Sequence, residues 1–153
     1  MIDEEIRTIL REELEALKER IDQNMTRAGQ HATGKTRRSM EVKVQGLAGV
    51  LTGRQAFASL ETGSRPWSRR PKYVPRFFAD IIGEWIEAKS LDLNKWAVAR
   101  TLIDEGSVLR RSGGRSDIYS PEIQKTMDRI ADRVAEQYEV LITNRLFINP
   151  TTL

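Results

Sequence analysis

The segment Gly29-Gln30-His31-Ala32-Thr33-Gly34-Lys35-Thr36 spells out a known chemistry, the phosphate-binding loop G-x-x-x-x-G-K-[ST]. In such a loop the backbone amides and the N-terminus of a following helix hold the phosphates. The lysine neutralises them and the hydroxyl binds Mg²⁺. That geometry requires a buried strand before the loop, a helix after it, and further βαβ units to build a parallel sheet. Here the order is reversed, with a charged amphipathic stretch before the match and period-two alternation after it, starting near Ser39. Gly34 then reads as a permissive dihedral in a helix-to-strand turn, and no cofactor or small-molecule substrate is expected.

Other routes to catalysis are thinner. His31 is the only histidine and there is no cysteine. A Ser–His–carboxylate triad has one candidate base, and a two-imidazole metal site cannot be made within one chain. Glu84 and Glu87 share a side of a helix, where such a pair is ordinarily solvated. Trp85 and Trp96 sit at core spacing, and Trp67 lies among cations, where an aromatic can anchor an interface. The expectation is a protein with neither catalytic nor metal-binding residues.

The elements that must carry these residues follow from periodicity. Ile6, Leu10, Leu14, Leu17, Ile21, Met25 and Ala28 recur at three- and four-residue steps and predict one amphipathic helix over residues 3–28. Its length, about 40 Å, suggests that its stripe serves an interface, with Leu10 and Leu17 as contact residues. Met40, Val42 and Val44 alternate with Glu41, Lys43 and Gln45, which predicts a strand. Val50–Thr52 and Gln55–Leu60 are further strand candidates within a β region over residues 39–60.

A basic, proline-broken arm over residues 62–76 follows, and helices occupy residues 76–146. Phe78, Ile81, Ile82 and Trp85 predict one apolar face. Leu93, Trp96, Ala99, Leu102 and Ile103 predict another, ending at Gly106. Residues 110–117 read as a mobile loop. A last helix, capped by Ser120 with Pro121 in its first turn, carries Ile123, Met127, Ile130, Val134, Tyr138 and Leu141. The whole is a single α+β domain: a long helix, a small antiparallel sheet, then three helices.

With 153 residues, 39% apolar and 31% charged, the composition is that of a soluble globular chain. The acids of MIDEEIRTIL argue against a secretory leader, and no stretch approaches the roughly 20 apolar residues of a membrane span. Synthesis in a cytoplasm is expected, with no membrane contact. The net charge of +3 is unevenly spread. Residues 27–76 hold eleven bases and two acids, a net +9, while the remainder holds fourteen bases and twenty acids, a net −6. Such a split field favours head-to-tail contact between identical copies, or contact with a polyanion. Arg37, Arg38, Arg65, Trp67, Arg69, Arg70, Lys72 and Tyr73 are the candidate contact residues of the basic region. Three prolines pre-extend the arm, which is expected to reach away from its own domain toward an acidic surface.

Thr33-Gly34-Lys35-Thr36-Arg37-Arg38-Ser39 resembles the T-G-x-L-[RK]-x-S turn of a phage family, the small tail-completion or tail-component proteins of the head–tail junction. Phe57-Ala58 with Leu60-Glu61-Thr62-Gly63-Ser64 is similar to that family's Y-A-x-x-V-E-x-G-T segment. Trp96-Ala97-Val98-Ala99-Arg100 through Glu105-Gly106-Ser107 is similar to its later helix ending in E-G-T. The order and spacing hold over most of residues 1–145. The resemblance implies a non-enzymatic virion protein, assembled in the host cytoplasm. Its partners would be further copies of itself in a neck or connector ring, a portal-side adaptor, tail proteins, and DNA in the channel. The alternative class is a nucleic-acid-binding protein using the basic segment, with Trp67 and Tyr73 as stacking groups.

Overall fold

The computed structural model describes residues 1–148. Helix α1 spans Ile2–Arg27, with Asp3, Glu4 and Glu5 placed favourably against the positive end of its dipole. A single helical turn, α2 (Lys35–Ser39), intervenes before the antiparallel pair β1 (Glu41–Gln45) and β2 (Ala48–Thr52). A 3₁₀ turn over Gln55–Ala58 runs into α3 (Ser59–Thr62). Helices α4 (Arg76–Ala88), α5 (Lys95–Glu105), α6 (Val108–Arg111) and α7 (Ser120–Ile148) complete the chain. The α+β layout, a long first helix with a small antiparallel sheet and several helices after it, is thus the one the periodicities predict.

The α1 stripe is buried within its own chain, which overturns the interface role expected of Leu10 and Leu17. Leu17 is 6% exposed and Met25 is fully buried. The hairpin covers one side of α1 and α7 lies lengthwise along another, so two elements share the stripe. Leu10 is half-buried, packed where β2 approaches at Gly49. The main core joins Leu14, Leu17, Ile21, Met25, Met40 and Ile118, flanked by Val42, Val44, Leu51 and Phe57. A second, smaller core (Ile82, Ile86 and Ala99, with Val74, Phe78 and Leu102) holds α4 against α5.

Four local expectations are corrected. Gln55–Leu60 is helical rather than a third strand: alanines flank Phe57, whose ring stacks on Tyr119 at 5.4 Å instead of pairing in a ladder. The buried face of α4 is Ala79, Ile82 and Ile86, while Ile81 and Trp85 are exposed, as is Trp96 on α5. Residues 110–117 are pinned rather than loose. α6 forms there, and the Arg115 amide donates to the Glu61 carbonyl at 2.8 Å. On α7 the predicted stripe is only partly covered: Ile123, Met127 and Tyr138 stay exposed, and among the described residues α1 is the one element packed extensively against α7.

Candidate functional site

The phosphate-loop match lies at the junction of α1 and α2. Gly29 and Gly34 take positive φ (68° and 74°), so the glycines serve chain reversal. Lys35 sends Nζ to Glu84 at 2.6 Å, and the Thr33 hydroxyl accepts from the Lys35 amide. His31 stands 2.9 Å from the Asp22 carboxylate, whose other oxygen meets Arg37 at 3.1 Å. The five-residue α2 does follow the loop, but a helix precedes it where a phosphate site needs a buried strand. Glu84 is engaged with Lys35 and does not pair with Glu87 as an acid couple. No group of three metal-ligating side chains occurs among the described residues.

The densest polar construction is centred on Glu61, which is 5% exposed. Its Oε1 accepts the backbone amides of Ile118 (3.1 Å), Tyr119 (2.7 Å) and Ser120 (2.9 Å). Its Oε2 accepts the Ser120 hydroxyl. The carboxylate therefore caps the start of α7 across 59 residues, and Ser120 is a donor to Glu61 rather than the cap itself. Burial works to raise the Glu61 pKa. The four hydrogen bonds from Ser120, Tyr119 and Ile118 outweigh it and hold the carboxyl below its ordinary value.

Two glycines make this junction sterically possible. A Cβ on Gly63 (φ 71°) would meet the Arg110 amide at 2.4 Å, and one on Gly106 (φ 78°) would meet the Ser64 carbonyl at 2.6 Å. Between them Ser64 and Ser107 bond reciprocally: the Ser64 amide to Ser107 Oγ, and the Ser107 amide to the Ser64 carbonyl, both at 3.0 Å. The fold thus brings together Glu61-Thr62-Gly63-Ser64 and Glu105-Gly106-Ser107, two segments distant in sequence. They act as a structural clasp. Neither Glu61's role as a remote cap nor the pairing of the two serines has a signal in local periodicity.

The basic arm lies on its own α5 rather than reaching away. The Trp67 amide donates to the Ile103 carbonyl at 2.9 Å, and its half-buried ring packs on Phe78 at 5.0 Å, so Trp67 anchors the arm to its own chain. The Arg100 guanidinium holds the carbonyls of Pro71 and Lys72 at 3.0–3.2 Å and pairs with Asp104. Sequence reasoning assigned Arg100 no role, because its acceptors are backbone atoms nearly thirty residues away. What the arm leaves outward is Arg65, Arg69, Arg70 and Lys72, all exposed, with Tyr73 74% exposed beside them. Among the described residues none of these four cations has a carboxylate within 4 Å. Arg38 is exposed on α2, where its guanidinium folds back against Gly34.

An open groove of about 860 Å³ separates the α4–α5 pair from the body. Met25, Ile82, Trp85, Leu102 and Leu109 line it, and the Lys35–Glu84 ion pair spans it. A second tie runs from Lys89 Nζ to the Gly29 carbonyl at the C-terminal end of α1. Comparison with family models, curated proteins and solved structures finds no match to this chain.

Proposed function

We propose that this chain is a non-enzymatic structural subunit of an oligomeric ring at the head–tail junction of a tailed phage, where it joins a portal-side adaptor to the tail. One observation carries the oligomeric part. The chain exposes 10808 Å², whereas a compact monomer of 17.5 kDa is expected to expose about 7,900 Å². The five residues past Ile148 could supply at most about 800 Å² of the excess, at the extended-chain value. What remains, roughly 2,000 Å², is enough for the about 1,600 Å² that a subunit buries in two standard interfaces at about 800 Å² per partner. A subunit in a closed ring uses two such faces.

The position in the particle rests on the resemblance of the Thr33–Ser39, Phe57–Ser64 and Trp96–Ser107 segments to the tail-completion family. The clasp of Glu61, Gly63 and Ser107 gives two of those segments a structural reason to recur without any catalytic one. The protein would then be a virion component, assembled in the host cytoplasm. Deleting the gene should leave filled heads and free tails that fail to join, and immunogold labelling should mark the neck of wild-type particles. Normal joining in the deletion strain would refute this function. The nucleic-acid reading keeps one supporting feature, the four cations beside exposed Tyr73 that have no carboxylate partner among the described residues. It loses Trp67, whose ring is engaged with Phe78.

A further inference from the structure

We infer that the outer face of the distal half of α7 is the acidic seat for the basic arm of a second copy of this chain. The inference rests on the ring reading and names the two surfaces that would meet. α7 presents Tyr138 (44% exposed), Ile142 (54%) and Leu146 (70%) at successive four-residue steps, so one side of the helix carries an apolar strip. Glu136 and Glu139, with Asp132 just before the helix midpoint, lie on the solvent side of that strip, exposed, and among the described residues no basic group pairs with them. The complementary surface is the arm with the start of α4. Tyr73 and Phe77 (64% exposed) stand there with Arg69, Arg70 and Lys72, which have no acidic partner among the described residues. Arg129 and Arg145 are also exposed on α7, so its three acids leave a net −1 there, while the arm from Arg69 to Lys72 holds three cations and no acid. Each surface thus combines uncovered apolar area with a surplus of one sign, and the signs are opposite.

The two surfaces cannot meet within one molecule. The distal half of α7 is held against the N-terminal half of α1, where Arg133 binds Glu12 at 2.6 Å and Glu13 at 3.0 Å. The arm belongs to the α4–α5 unit, which is tied to the other end of α1 at Gly29. Along the helix axis Glu12 and Gly29 are about 25 Å apart. A symmetric pairing of α7 with itself would set acidic row against acidic row. Contact between unlike surfaces on successive copies repeats head to tail, and such contacts close into a ring when the rotation permits.

The test is a charge swap read by sedimentation velocity on the full chain at about 100 μM protein and 150 mM salt. All substituted positions are exposed, so each variant should keep the wild-type thermal melt. The wild type should self-associate, less so at 500 mM salt. Arg69→Glu with Arg70→Glu should weaken association at least tenfold, and so should Asp132→Lys with Glu139→Lys. All four substitutions in one chain should restore it. A wild type that stays monomeric, a reversal without effect, or failure of the combined variant to recover would each overturn the pairing. Loss of duplex-DNA binding with association unchanged would do so in favour of the nucleic-acid reading. Rings that persist through both reversals would leave the ring reading standing with a different interface. The joining role is decided separately by the deletion phenotype.

Discussion

Helices α1 and α7 are alike in length and apolar periodicity and opposites in the fold. They are 26 and 29 residues long, both amphipathic, and they lie along one another. The stripe of α1 is enclosed by the hairpin on one side and α7 on another, and Ile6, Ile9, Leu14, Leu17, Ile21 and Met25 are all buried. Among the described residues α7 is packed extensively against α1 alone, and Ile123, Met127, Tyr138 and Ile142 remain exposed along it. The difference lies in how many elements are available to cover each stripe, not in the stripe itself. An apolar face in excess of the covering elements stays exposed, and in this chain that face is on the last helix rather than the first.

The largest expected effect breaks the better-covered helix. Leu17→Ala should lower unfolding free energy by about 2–5 kcal/mol, since it opens a cavity between α1 and the hairpin. Ile142→Ser on α7 should change it by no more than about 0.5 kcal/mol. Urea denaturation of the two variants measures the contrast directly. Equal losses would show α7 to be as enclosed as α1.

A smaller effect sharpens the comparison at the start of α7, which Glu61 holds. Glu61→Gln keeps an acceptor but loses the charge, and should cost about 1–2 kcal/mol. Hydrogen exchange should rise in the first turns of α7 and not in α1. The pH dependence follows from the direction of the shift. A carboxyl whose folded pKa is depressed below 4.5 stabilises fully above the unfolded value. It loses that contribution as pH falls through the folded one. The gap between wild type and Glu61→Gln should therefore be constant near neutrality and close as the solution becomes strongly acidic. A gap independent of pH would mean that the Glu61 charge does not contribute.

The smallest effect concerns the C-terminal end of α1, where the phosphate-loop match sits. Lys35→Ala removes an ion pair with Glu84 whose partners are 51% and 54% exposed, worth at most about 1 kcal/mol. Titration calorimetry with ATP and Mg²⁺ should show no saturable heat in wild type or variant. Micromolar binding abolished by the substitution would reinstate the nucleotide reading.

Much of this architecture is legible from residue order. The i, i+3, i+4 recurrence of Ile6 to Met25 specifies a helix, because each apolar residue there is set by neighbours one turn away. Val42 and Val44 alternating with charged residues specify β1 for the same local reason. The uneven charge of +9 and −6 is likewise a property of the chain before it folds. Local order was insufficient at Gln55–Leu60, where a short apolar run fits strand or helix equally and contact with Tyr119 decides.

Only the tertiary structure could decide which stripe is covered, what caps α7 and where the arm lies. Each depends on groups brought together from far apart. Glu61 meets Ser120 across 59 residues, and Arg100 finds the carbonyls of Pro71 and Lys72 on a segment it does not adjoin. Periodicity states that a face is apolar or that an arm is basic. Whether that face is buried, and whether that arm is held, depends on how many other elements the closed chain can set against it.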